Sequence, residues 1–141
     1  MRRYLLVLTF VSMSLLVNAQ NYVIPSTFQP LSMDEMMLSA QAEAIIQQRL
    51  RQSFEEYQDK AYDCLNDGNY QGFITYSSYA LNTGWYSSKL YYDRGAVFEQ
   101  FHDYNSAKKE YRHAIRKGFL PAKSALAQCK ARQKEWKKRI H

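Results

Sequence analysis

The chain has 141 residues, and 19 Lys and Arg against 13 Asp and Glu leave a formal net charge of +6. By size that is one domain, with enough chain for one core. With only 5 Gly and 3 Pro the composition suits helices.

The first elements are export signals. Arg2-Arg3 make a basic start, Tyr4 to Val17 form a mostly apolar run of 14 residues, and Val17-Asn18-Ala19 reads as a small-residue cleavage site before Gln20. A membrane-crossing helix needs about 20 apolar residues. Residues 1–19 are therefore expected to be a cleaved signal peptide and the product to be exported, periplasmic or secreted. An uncleaved N-terminal anchor is the alternative. Gln20 and not Cys stands directly after the cut, which disfavours a bacterial lipoprotein.

Residues 20–31 carry two prolines and no helical period, so they read as an extended lead-in, with Tyr22, Ile24 and Phe28 to lie against the domain. Ser32 and Glu35 have the spacing of a capping box, which starts a helix at Met33. Its apolar positions are Met36/Met37, Ala40, Ala44, Ile45, Leu50, Phe54, Tyr57, Ala61 and Cys64/Leu65, at helical spacing. No Pro or Gly interrupts before Gly68, so the segment is either one helix over 33–66 or two with a bend near Leu50. After the turn at 66–69 a helix runs from Tyr70 to Thr83 and is closed by Gly84. Ser87 or Ser88 caps the next, which ends at Phe101. A fourth runs from Tyr104 to Lys117 and is closed by Gly118. The last follows Pro121 to about Arg139, with Leu126, Cys129 and Trp136 as its apolar points. There is no β-type alternation, so the chain reads as all-α.

Shifted by 34 residues, the chain partly overlies itself. Tyr57 falls on Tyr91, Ala61 on Gly95, Asn69-Tyr70 on Asp103-Tyr104, Ala80-Leu81 on Ala114-Ile115, and Gly84-Trp85 on Gly118-Phe119. The later copy runs Tyr91-x3-Gly95-x2-Phe98-x8-Ala107-x3-Tyr111-x2-Ala114. The earlier runs Tyr57-x3-Ala61-x2-Cys64-x8-Phe73-x3-Ser77-x2-Ala80, with the large-small order of one pair inverted. Small residues let two helices approach and aromatics fill the gaps around them. The pattern resembles a divergent tetratricopeptide repeat, with repeats at about 54–87 and 88–121 and a capping helix over 122–139. It departs from that family where Lys60 and Arg94 replace an apolar residue, and where Trp85 and Phe119 replace a Pro. The resemblance implies an α-solenoid of helical hairpins within a domain over 32–141, behind a long N-terminal helix.

It also implies a function. In that family the first helices of the repeats line a concave groove that takes an extended peptide or a helix. The matching positions here include Gln58, Asp59, Tyr62, Lys89, Tyr92, Asp93, Lys123 and Lys130, with Tyr62 and Tyr92 as contact aromatics or as ordinary half-buried rings. One subgroup clamps a terminal carboxylate, and of its positions here (Gln58, Tyr62, Asp93, Lys123, Ala127) only Lys123 keeps the needed type. The expectation is a non-enzymatic protein–protein interaction module, an adaptor or scaffold, with a protein or peptide partner and no cofactor, metal or small-molecule substrate. No H-E-x-x-H, G-x-S-x-G or Gly-rich phosphate loop occurs.

Charge distribution adds a rival. Residues 20–104 hold 5 bases and 11 acids, net −6, whereas 105–141 hold 12 bases and 2 acids, net +10. The basic end is either the soluble outer face of a terminal repeat or a surface for a polyanion or envelope glycan; opposite charges also allow a homo-oligomer. Cys64 and Cys129 lie nearly two repeat lengths apart, too far for a disulfide between non-neighbouring repeats, and are expected as two buried thiols.

Overall fold

The computed structural model of the protein describes residues 32–140; the signal segment 1–19 and the lead-in 20–31 lie outside the described residues. Five helices follow in order: α1 (Met33–Asn66), α2 (Tyr70–Asn82), α3 (Ser88–Gln100), α4 (Tyr104–Arg116) and α5 (Ala122–Ile140). Among the described residues there is no strand, and the fold is all-α. The described residues fall into two units, one up to Ser39 and the other from Ala40 onward.

In the first unit the capping box closes as the sequence predicts. The Glu35 Oε2 carboxylate accepts from Ser32 N at 2.8 Å, and Glu35 N donates to Ser32 Oγ at 3.2 Å. Two otherwise orphaned donors are satisfied, and the Ser32 backbone N–H, then the Ser32 hydroxyl, hold the Glu35 carboxyl below its ordinary pKa. α1 then runs unbroken to Asn66, as one helix and not two.

In the second unit, local geometry repeats every 34 residues. α2 and α4 start at Tyr70 and Tyr104 and end at Asn82 and Arg116. Their N-caps are Asn69 (φ −80°, ψ 76°) and Asp103 (φ −83°, ψ 71°), which accept from Gly72 N at 2.9 Å and Ser106 N at 3.1 Å. A short side-chain oxygen satisfies one of the free N–H groups of a helix start. At the far ends Gly84 and Gly118 take φ of +88° and +89°, a left-handed turn that costs glycine nothing. Before the caps, Gly68 (φ +72°) is matched by His102 (φ +57°), which adopts the same turn with a side chain.

The core forms two clusters, and α3 supplies side chains to both. One holds Phe54, Ala61, Phe73, Ala80, Leu90 and Val97. The other holds Tyr104, Ala107, Tyr111, Ala114, Ala122, Ala125 and Cys129, with Tyr91, Tyr92 and Phe98 packed against it. The backbones of α3 and α4 approach most closely, followed by α4 and α5 and then α2 and α3. Gly95 is buried with the Tyr111 ring directly over its Cα, and Ala107 is fully buried. α1 and α2 stand further apart, consistent with the buried Phe73 at the position of Ala107.

Two expectations need correction. Both cysteines are free, as expected, and Cys129 is buried, but Cys64 is only half-buried. The apolar face of α1 is covered only from Leu50 onward, and every residue from 33 to 49 is exposed. α2 has 13 residues against 34 in α1, so it is too short to cover the whole of its neighbour.

Candidate functional site

Three of the residues singled out for the groove meet on the side chains that link α1 to α3. Tyr62 Oη donates to Asp93 Oδ2 at 2.8 Å, Lys89 Nζ donates to the same oxygen at 2.6 Å, and Lys89 Nζ stands 5.0 Å from the centre of the Tyr62 ring. Burial, and then the bond to the Asp93 carboxylate, push the Tyr62 phenol far above its ordinary pKa. The cluster is a neutral hydroxyl and an ammonium converging on one carboxylate. Beside it a dent of about 140 Å³ is lined by Leu65, Tyr70, Asp93, Ala96, Val97 and Gln100.

The other groove candidates are placed differently. Tyr92 is half-buried and packs against the α4–α5 cluster, with its ring centroid 5.0 Å from Phe119 and 5.7 Å from Tyr111. Gln58 is half-buried and Asp59 exposed on α1. Lys123 and Lys130 are exposed on α5. Of the packing residues, Tyr57 is half-buried against Tyr79, Tyr91 is half-buried and stacked on His113 at 5.2 Å, Phe98 is half-buried, and Ala61 and Ala114 are fully buried. Burial and the neighbouring Arg116 lower the His113 pKa.

Sequence reasoning missed the polar groups that tie the hairpins together. Arg94 lies on α3 with its guanidinium buried. Its Nη1 donates to Ser77 Oγ (2.7 Å) and Ser78 Oγ (2.9 Å) of α2, and its Nε faces Glu110 Oε2 of α4 at 3.5 Å. The side chains of Arg94 and Glu110 are only 10% and 12% exposed, so this is a buried ion pair spanning three helices. Ser77, read from the sequence as the small half of a volume swap, is also a hydrogen-bond partner. A second tie runs through Glu99 of α3, which accepts from Tyr111 Oη of α4 at 2.7 Å and pairs with Arg132 of α5 at 2.7 Å. The sequence signal for both was a charged residue at a helical core position, as at Arg94.

Two further features lie elsewhere. His102 stacks on Trp136 with centroids 4.2 Å apart and planes 15° from parallel, which holds its left-handed backbone in place. A cleft of about 710 Å³ is lined by Gln47 and Leu50 of α1 and by Thr83, Gly84, Trp85 and Tyr86 of the α2–α3 loop.

Burial pushes the Cys129 thiol up to about 11, which keeps it protonated. Among the described residues no group of three or more His, Cys, Asp or Glu gathers to hold a metal ion, and no helix is long and apolar enough to cross a membrane. Compared with protein-family models, curated proteins and solved structures, the chain matches none.

Proposed function

We propose that the protein is an exported, non-enzymatic adaptor of tetratricopeptide-like design, which binds a segment of another protein in a groove formed by α1 and α3. The observation that carries this reading is the return of one cap geometry after 34 residues, at Asn69 and Asp103 and again at Gly84 and Gly118. Identical local instructions at a fixed period make successive hairpins stack in the same sense, and a stack of this kind presents the first helix of each hairpin as one continuous face. The Tyr62–Asp93–Lys89 cluster lies between those two helices. Asp93 already neutralises Lys89, so a bound segment is recognised by hydrogen bonds and shape at the neighbouring dent and not by a free charge.

The test is affinity capture from an envelope extract with the wild-type protein and with Tyr62→Ala/Asp93→Ala, followed by titration of whichever partner is captured. Loss of the central contacts of an interface weakens binding about tenfold or more. A partner held equally well by both forms removes the groove from consideration.

A second reading has its own support. Among the described residues, Arg132 is the sole basic side chain of α4 and α5 in an ion pair with a carboxylate, in a segment of net +10. Such a surface suits a polyanion or an acidic envelope glycan. Binding to heparin would then fall steeply as salt rises, because neutralised anionic sites release counterions. A flat salt dependence rejects it.

A further inference from the structure

The cleft between α1 and the α2–α3 loop is separate from the groove and has an unusual lining. Its aromatic walls, Trp85 and Tyr86, are 37% and 50% exposed. Each carries a cation. The Arg51 guanidinium lies 5.7 Å from the Trp85 ring centre, and Lys117 Nζ lies 3.8 Å from that of Tyr86. Arg51 also pairs with Glu55 at 3.0 Å, whereas Lys117 has no carboxylate partner among the described residues. Aromatic walls with cations at both ends suit an apolar segment that carries negative charge.

The chain displays such a segment itself. The N-terminal arm of α1 is exposed at every residue from 33 to 49, including the large apolar side chains of Met33 (71%), Met36 (44%) and Met37 (59%) on the face of Ala40 and Ala44. From Ser32 to Gln48 it contains Asp34, Glu35 and Glu43 and no Lys or Arg. A helix this apolar gains most of its stability from being packed against something.

We infer that the occupant of the cleft is the α1 arm of a second copy of this chain. Gln47 and Leu50, which line the cleft, are the direct continuation of the arm. Two copies of α1 crossing antiparallel near Ala40 and Ala44 therefore deliver the methionines of each arm to the mouth of the other's cleft. The small side chains at the crossing permit close approach. The same operation brings the acidic start of each arm toward the other's Arg51, so one two-fold axis fills both clefts and satisfies both charges. This inference does not depend on the groove reading, because it uses none of the residues assigned there.

The experiment is sedimentation over a concentration series, with tryptophan emission as a second readout. Wild-type protein should be dimeric at high micromolar concentration, with a blue shift on association as Trp85 is covered. Met36→Glu/Met37→Glu, which alters only exposed side chains on the face of Ala40 and Ala44, should weaken association by at least about tenfold. Trp85→Ala should do the same from the cleft side. Charge reversal separates this assembly from simple arm-to-arm sticking. Asp34→Lys and Arg51→Glu/Lys117→Glu should each be monomeric alone, yet dimerise when mixed, since both arm–cleft contacts are then matched. A wild-type protein that stays monomeric overturns the proposal and leaves the arm to a different partner. Dimers that survive Trp85→Ala, or reversed-charge variants that fail to pair, overturn it as well.

Discussion

Replacing Gly95 by Ala adds one methyl group at the tightest contact of the α3–α4 hairpin. In an exposed helix this change stabilises by about 1 kcal/mol, because Ala loses less backbone freedom on folding. Here the new Cβ would stand 2.7 Å from Tyr111 Cε1, 2.8 Å from Cδ1 and 3.0 Å from Cζ, against about 3.5–4.0 Å for relaxed carbon contacts. The ring cannot swing aside freely. It is 2% exposed, its hydroxyl is bonded to Glu99 at 2.7 Å, and Glu99 is held in turn by Arg132. Overpacking of this kind costs about 1–3 kcal/mol, and disturbing a hydrogen bond to a carboxylate costs about 1.5–3 kcal/mol more. After subtracting the propensity gain, Gly95→Ala should lose about 1.5–5 kcal/mol, or about 5–20 °C in Tm for a domain of this size. Urea and thermal unfolding followed by far-UV circular dichroism measure it. The sign should reverse in a Tyr111→Ala background, where the methyl has room and only the propensity gain is left. A single Gly95→Ala variant that melts at or above wild type would show that the ring does not confine this helix pair.

Arg94→Ala strands Glu110 in the core and should cost about 3–5 kcal/mol, whereas Arg94→Leu/Glu110→Leu removes both charges and should recover much of that loss. Urea midpoints decide it, and a loss under about 1 kcal/mol for the single variant would mean that the pair is hydrated. At His102, Ala must adopt a left-handed turn without the ring stacked on Trp136, so His102→Ala should be less stable than His102→Gly by about 1 kcal/mol. Equal stabilities would remove the strain. Burial and neighbouring carboxylates raise the phenols of Tyr62 and Tyr111 above the ordinary tyrosine value of about 10. Their folded forms hold protons that the unfolded chain releases, so their contribution to stability is intact below pH 10 and declines as pH rises beyond it. Tyrosinate absorbance should therefore lag in the native protein, and Tyr62→Phe/Tyr111→Phe should flatten the alkaline loss. Of the two thiols, Cys64 should react with a disulfide reagent in the folded state and Cys129 only on unfolding; equal rates would contradict the buried placement of Cys129.

Element boundaries were legible because they depend on a few neighbouring residues. Asn69, Ser87 and Asp103 can cap a helix wherever the chain turns, and Gly84 and Gly118 accept a left-handed turn whatever surrounds them. The continuity of α1 was not legible, since nothing near Leu50 either breaks a helix or demands one. The candidate site was legible in part. Tyr62, Lys89 and Asp93 stood at positions the repeat pattern marks, and they meet. Tyr92 stood at an equally marked position, and its half-buried ring packs against Phe119 instead.

By itself the sequence determined an all-helical chain, where each helix begins and ends, and the 34-residue return of its caps, because these are settled by interactions that reach only three or four residues. The tertiary structure alone decided which charges are buried and which apolar faces are left open. Lys60 and Arg94 hold equivalent places in the two copies, yet Lys60 is 48% exposed beside Glu56, while Arg94 is enclosed by Ser77 and Glu110 from two other helices. Ile45 and Phe54 are both apolar points of one helix, and only Phe54 is covered. A residue's environment is built by partners distant in sequence, and no local pattern specifies them.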